Sequence, residues 1–299
     1  MPYDRIQFSE SFLDPCITLD TGQSFRWKPV DENRNSWMGV VSDKLVRVSR
    51  EDAVIVSALS RDSEFLSRYF SLDDDLDSIL ATFPHDAMLD NAKRQFRGLR
   101  LLTQNPWECL VSFICSINCN IPSIRVKIEN LSRKYGSRIK TNLDLDAYSF
   151  PTPESLARAN KRDLLDCRLG FRWKYVKFIA KNVVKGEINL EKLRTVSYTS
   201  ALNELISNVS GKTFGVGPKV ADCTLLYSLH KTEAFPIDVW ILRCLNKFYK
   251  EEVGIGNLES LTLKRYFEFS EIMRRKFGKY AGYAQLYLYV KMREDSHSM

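Results

Sequence analysis

"TFGVGPKVADC" (213–223) is the stretch on which the reading of the whole chain turns. Gly215 and Gly217 flank Val216, and Lys219 follows just ahead of a run with helical spacing. Glycine takes backbone shapes that other residues resist, and its bare N–H groups can reach a close anionic ligand. A helix N-terminus immediately downstream adds its dipole, and together they suit a phosphate. Upstream, "SALNELISNVSG" (200–211) supplies a preceding helix. Helix, Gly-apolar-Gly turn and helix make a helix-hairpin-helix arrangement, which grips a nucleic-acid backbone without reading its sequence. The same residues also fit a tight turn between helices with Lys219 in solvent. They do not fit a P-loop, whose G-x-x-x-x-G-K-[ST] spacing is absent.

A second piece lies 19 residues after Lys219, in "FPIDVWILRCL" (235–245). Pro236 and Asp238 precede an apolar run, which makes Asp238 an N-cap or first-turn residue. The separation holds one helix and a turn, so Lys219 and Asp238 can line one cleft. A neutral amine is a good nucleophile, but a free lysine is mostly protonated at pH 7. Burial lowers its pKa and a nearby carboxylate raises it; the sequence leaves that balance open. An amine attacking a sugar C1′ would expel the base and leave a Schiff base. The carboxylate can stabilise positive charge developing on the sugar. Capping alone is the plainer role for Asp238.

Working outward, the N-terminal part reads as antiparallel strands over roughly residues 5–60. "QSFRWKPV" puts Phe25 and Trp27 on one face, and "SWMGVV", "KLVRVSR" and "AVIVSAL" follow, rich in β-branched residues. From about residue 61 the apolar spacing becomes helical. "NPWECLVSFICSI" (105–117) is apolar nearly all round, as a central core helix would be. In "YSFPTPESLARA", Thr152 can cap, Pro153 suits the first helical position and Glu154 the first turn. The expected class is α+β: an N-terminal antiparallel sheet domain with flanking helices over 1–92, then a larger all-helical helix-hairpin-helix domain over 93–299. The tail "MREDSHSM" is expected to fray.

Composition sets limits. Residues number 299, enough for one large domain or two smaller ones. Lys and Arg total 44 against 37 Asp and Glu, a net +7 that permits nucleic-acid binding without requiring it. The stretch "SLDDDLDSIL" (71–80) is acidic, so any basic surface is local. Seven scattered cysteines show no C-x-x-C pair, and three histidines do not complete a zinc site. Cys115 and Cys119 can share a helix face as buried thiols. The cysteines suggest a reducing compartment, the N-terminus lacks an apolar signal-peptide core, and no run is long enough to span a membrane.

Taken together, "GQSFRW" (22–27), "LRLLTQNPWECLVSFICSINCNI" (99–121), "LGFRWKYV" (169–176), "GVGPKVADC" (215–223), "PIDV" (236–239) and "GYAQLYLY" (282–289) resemble the 8-oxoguanine DNA glycosylase/lyase family, within the helix-hairpin-helix glycosylase superfamily. The likeness runs from about residue 8 to 293. It implies a bifunctional enzyme that flips 8-oxoguanine out of duplex DNA, forms a Schiff base and nicks by β-elimination. It implies Lys219 as the Schiff-base lysine and Asp238 as the catalytic aspartate. The Gly22 carbonyl would accept the N7–H that 8-oxoguanine has and guanine lacks. Gln285 would meet the base's Watson–Crick edge. Tyr289, where the family usually has Phe, and Cys223 would cover the two faces, with Phe113 in the same pocket. Asn118 would enter the gap left by flipping, with Phe171 as wedge and Arg172 facing the orphaned partner base; Gly215, Val216 and Gly217 would hold the backbone. The resemblance implies no metal, no cofactor, a monomer on double-stranded DNA, and an intracellular site: cytoplasm or nucleoid in a prokaryote, nucleus in a eukaryote. A four-cysteine iron–sulfur cluster, found in some related glycosylases, is not expected, since no cysteine follows Cys244.

Departures from the family pattern bear on specificity. A second arginine that reads the opposite cytosine falls on Ser123 here, with Arg125 two residues on. Cys119 is the middle of an asparagine trio, and Trp240 stands where a histidine near a phosphate is usual. Two other readings use the same scaffold: a glycosylase for alkylated bases, and a DNA-binding module without chemistry.

Overall fold

The structure, a computed structural model, describes residues 4–7, 12–51, 54–57, 63–140, 146–206, 214–254 and 261–297. The strands are β1 (Asp4–Gln7), β2 (Trp27–Pro29), β3 (Ser36–Val41), β4 (Lys44–Ser49) and β5 (Val54–Ser57). They form an antiparallel sheet in the order β1-β5-β4-β3-β2. A short helix, α1 (Pro15–Leu19), interrupts the strand region; Asp14 caps it through its Oδ1. On β2, Trp27 lies over Gly39 of β3, where any Cβ would stand 2.4 Å from the indole. Its Nε1 donates to Tyr69 at 2.9 Å. The strand leading out of the "GQSFRW" motif is therefore clamped by a buried aromatic.

Helices follow: α2 (Ser63–Tyr69), α3 (Leu76–Ala81), α4 (Ala87–Gln95), α5 (Pro106–Cys115), α6 (Ile121–Tyr135), α7 (Pro153–Arg158), α8 (Lys161–Asp166), α9 (Trp173–Val184), α10 (Tyr198–Ile206), α11 (Pro218–Leu229), α12 (Val239–Phe248), α13 (Lys250–Val253), α14 (Leu263–Phe277) and α15 (Ala281–His297). This is the expected α+β arrangement. Every residue of α5 is buried, as its all-round apolar sequence predicts. Thr152 caps α7 with Pro153 next, as its sequence indicates.

The hydrophobic interior falls into two clusters. One lies under the sheet and gathers Leu13, Trp27, Trp37, Val48, Ile55, Leu66, Phe70 and, from beyond the strands, Leu102. The other fills the helical body from Leu76 onward and takes in Phe25 from the sheet side. The boundary expected at 92/93 falls inside α4, while the clusters part near residue 75. One expectation is corrected. Cys119 does not share a helix face with Cys115, because α5 ends at Cys115 and Cys119 is half-buried in the loop beyond. The C-terminal segment from Met292 is helical as far as His297, with Lys291 paired to Asp295 at 2.8 Å, and residues 298–299 lie outside the described part.

Candidate active site

Of the expected hairpin the structure describes α10 as far as Ile206 and the chain from Phe214 into α11; residues 207–213, Thr213 among them, lie outside the described part. Gly215 sits at φ +92, and a Cβ there would come within 2.3 Å of the Tyr175 ring; both facts demand glycine. Gly217 differs: its φ is −83, and nothing lies within 4 Å of where its Cβ would be. It is the N-cap of α11 and supplies no side chain, while Pro218 follows at the first helical position. The α11 N-terminus is thus open on its Gly217 side.

Lys219 projects from the first turn of α11. Its Nζ donates to Ser116 Oγ at 3.1 Å and rests 4.8 Å from the centre of the Phe113 ring. Phe113 belongs to a stack, edge-on to Phe25 at 5.7 Å and face-to-face with Tyr227 at 5.6 Å. It is therefore a floor under the lysine. One turn along, burial pushes the Cys223 thiol up to about 12, against the pull of Lys219. That thiol is neutral and serves as a wall.

Asp238 is the N-cap of α12, as its sequence position predicts. Its Oδ1 accepts from the Trp240 and Ile241 N–H groups, both at 2.9 Å. Burial raises its pKa above the ordinary carboxylate value, opposed by those N–H groups and by the charge of Lys219. The Asp238 carboxylate therefore feels the lysine across the cleft.

Around this pair lies a cleft of about 850 Å³. It brings together Gly22, Phe113, Asn118, Gly215, Val216, Gly217, Lys219, Cys223, Asp238, Gln285 and Tyr289. Gly22 takes φ +80 in a bend held by its neighbour Gln23. The Gln23 amide donates to Arg100 O at 3.0 Å and accepts from Leu102 N–H at 2.9 Å, and its backbone carbonyl accepts from Gln104 at 2.7 Å. Gln285 is buried, and its amide orientation is set by its partners. Its Nε2 donates to Pro236 O at 3.0 Å, and its Oε1 accepts from the Tyr227 hydroxyl at 3.3 Å. Each end of that amide keeps one further hydrogen-bonding position, a donor beside an acceptor.

Phe171 and Arg172 do not line the cleft. Phe171 is 48% exposed and packs edge-on to Tyr175 at 5.9 Å, the residue that also seats Gly215. Arg172 is buried: it donates through Nε to Ile117 O at 2.8 Å and through Nη2 to Asn118 O at 3.0 Å. Its guanidinium holds the Asn118 loop, where Asn118 takes φ +47, and does not project outward. Ser116, Tyr227 and Arg293 also line the cleft and are missed by the sequence reading. Ser116 closes α5 and has no spacing signal. Tyr227 is two turns from Lys219 on the same helix, a spacing that a helical projection would have revealed.

Residues 5–110 match the model described as the 8-oxoguanine DNA glycosylase N-terminal domain, and residues 111–253 that of HhH-GPD superfamily base excision DNA repair proteins. The N-glycosylase/DNA lyase of Saccharomyces cerevisiae is 29% identical over 97% of this chain and 86% of its own length. A probable N-glycosylase/DNA lyase of Methanothermobacter thermautotrophicus is 34% identical over 70% of this chain and 68% of its own length. Among solved structures, the Clostridium acetobutylicum 8-oxoguanine glycosylase/lyase bound to double-stranded DNA, with cytosine opposite 8-oxoguanine, superposes with a TM-score of 0.84. It is 32% identical over 95% of this chain and 93% of that one.

Proposed function

The chain belongs to the 8-oxoguanine DNA glycosylase family of helix-hairpin-helix base excision repair proteins, and on that premise we propose that it releases 8-oxoguanine from duplex DNA and then nicks the strand. It is a DNA N-glycosylase with lyase activity. The finer reading rests on one observation: a cleft with ample room for an extruded nucleotide holds Lys219 and Asp238 beside Gly22 and the partly engaged amide of Gln285.

DNA is held, on this reading, at the open N-terminus of α11, where Gly217 leaves room for a phosphate. The damaged nucleotide turns out of the stack, at a cost of a few kcal/mol offset by wedge and pocket contacts. Phe171 stands exposed beside the hairpin as the wedge. In the cleft the Gly22 carbonyl accepts the N7–H of 8-oxoguanine and would repel the bare N7 of guanine. Gln285 offers its remaining donor and acceptor to the base edge. Tyr289 and Cys223 close over its faces, and base stacking on an aromatic is worth about 1–3 kcal/mol.

Lys219 must shed a proton before it acts. Its amine then bonds to C1′ as the C1′–N bond to the base breaks, and Asp238 offsets the positive charge that develops on the sugar. The sugar ring opens to the Schiff base, and loss of the 2′ proton expels the 3′ phosphate. Borohydride trapping on an 8-oxoguanine duplex is expected to capture a covalent adduct with the wild type and none with Lys219→Gln. A missing wild-type adduct, or one that survives the substitution, sinks this role. Release of 3-methyladenine in preference to 8-oxoguanine would favour the alkylated-base reading instead.

Ser123 bears on the opposite base. It sits in the first turn of α6, its N–H bonded to Asn120 Oδ1 at 3.0 Å, and its side chain is too short to replace an arginine. The expected outcome is weak preference among the four partner bases. A cleavage assay with each of them opposite 8-oxoguanine measures it; sharp selectivity for cytosine would contradict it.

A further inference from the structure

Arg125, two residues beyond Ser123, faces away from the role its position suggests. Its Nη2 donates to Asp20 Oδ1 at 3.0 Å. The other oxygen of Asp20 pairs with Arg34 Nη2 at 2.9 Å, and the Asp20 carbonyl accepts from Arg293 Nη1 at 2.9 Å. Three arginines from separate parts of the chain thus meet on one residue: Arg34 from the β2–β3 loop, Arg125 from α6 and Arg293 from α15. Arg34 holds its place at φ +60, a conformation that few non-glycine residues take. Asp20 stands two positions before Gly22. Arg293 also lies 5.7 Å from the centre of the Tyr289 ring, and the Tyr289 hydroxyl is 3.6 Å from where a Gly22 Cβ would be.

We propose that Asp20 and Arg125 are positioning residues for base selection: the clasp fixes the bend that carries the Gly22 carbonyl, and Arg125 takes no part in reading the partner base. The physical case is rigidity. A carbonyl discriminates a donor from a lone pair only if it cannot swing aside, and a displacement of about 1 Å can cost about a hundredfold in a positioned interaction. Gln23 holds the bend from the far side through its buried amide bonds. The clasp holds it from the near side, through half-buried ion pairs that solvent screens only in part.

The inference rests on the proposed release of 8-oxoguanine, and the test separates the two. Fluorescence anisotropy compares affinities for an 8-oxoguanine duplex and an undamaged one. Single-turnover release compares cytosine with adenine opposite the lesion. Arg125→Ala and Asp20→Asn are expected to lower the lesion-over-undamaged affinity ratio about tenfold, less than the hundredfold bound because Gln23 remains. Arg125→Lys should restore most of it, and the cytosine-over-adenine ratio should stay at the wild-type value in all three. An unchanged affinity ratio overturns the clasp, as does equal weakening on both duplexes, which would mark a purely structural role. A cytosine-over-adenine ratio in Arg125→Ala that departs from the wild-type value, whatever that value is, returns Arg125 to the partner base and also overturns it. Arg34→Ala serves as a further variant should Arg125→Ala not fold. A wild type that releases no 8-oxoguanine overturns the function reading itself.

Discussion

Asp238 caps α12, and on the proposed reading the same carboxylate also serves catalysis; substitutions separate the two. Asparagine caps helices about as well as aspartate, whereas alanine loses about 1 kcal/mol at such a position. Asp238→Asn should therefore unfold close to the wild-type denaturant midpoint yet lose most base release, while Asp238→Ala loses both. On that reading activity needs the ionised form, and burial has raised the pKa. The acid limb of kcat should then lie above the ordinary aspartate value, with activity falling as pH drops through it. A pH profile of single-turnover release checks this, and the limb should vanish from the residual activity of Asp238→Asn. The cap was legible because a proline, an aspartate and an apolar run are contiguous. The contact of Lys219 with Ser116 was not, because it joins residues 103 positions apart and neither end carries a pattern for it.

At the scale of the element, the hairpin shows that two glycines in one motif can be there for different reasons. Gly215→Ala places a methyl group into the Tyr175 ring at an unfavourable φ, whereas Gly217→Ala meets no protein atom. We expect Gly215→Ala to lower the unfolding midpoint and to weaken binding to undamaged duplex by about tenfold or more, through strain of about 1–3 kcal/mol. Gly217→Ala should leave the midpoint near wild type and, on the proposed reading, show its effect in DNA affinity, where a Cβ would crowd a bound phosphate. Calorimetry and anisotropy together decide it, and equal loss of stability in both variants would contradict the distinction. Helix α5 was readable because all-round apolarity means burial on every side. The inward turn of Arg172 was not readable: in the sequence it belongs to a basic run, and only the carbonyls of Ile117 and Asn118 explain it.

Across the whole molecule, Arg100 ties the sheet side to the helical body. It is fully buried and donates to the carbonyls of Phe12, Ser71 and Asp74. Arg100→Met would fill the space but strand those acceptors, each costing about 1–3 kcal/mol when unsatisfied. We expect a loss of at least about 3 kcal/mol in urea unfolding, followed by circular dichroism and tryptophan fluorescence. A change below about 1 kcal/mol would show that solvent reaches these carbonyls. The α+β architecture was legible because strand and helix periodicities occupy separate stretches. The way the two parts interlock was not, since Gln23, Arg100 and Leu102 carry no pattern that reveals their partners.

Gln23 has one more implication. It hangs the Gly22 bend from the 100–104 segment, while Lys219 and Asp238 are mounted on α11 and at the start of α12. The two assemblies are joined by Gln104, whose side chain donates to the Gln23 carbonyl at 2.7 Å and whose backbone N–H donates to the carbonyl of Tyr227, on α11, at 2.8 Å. On the proposed reading, recognition and bond breaking therefore share a hinge: a change that moves the 100–104 segment shifts the base-facing bend and the helix bearing the lysine together.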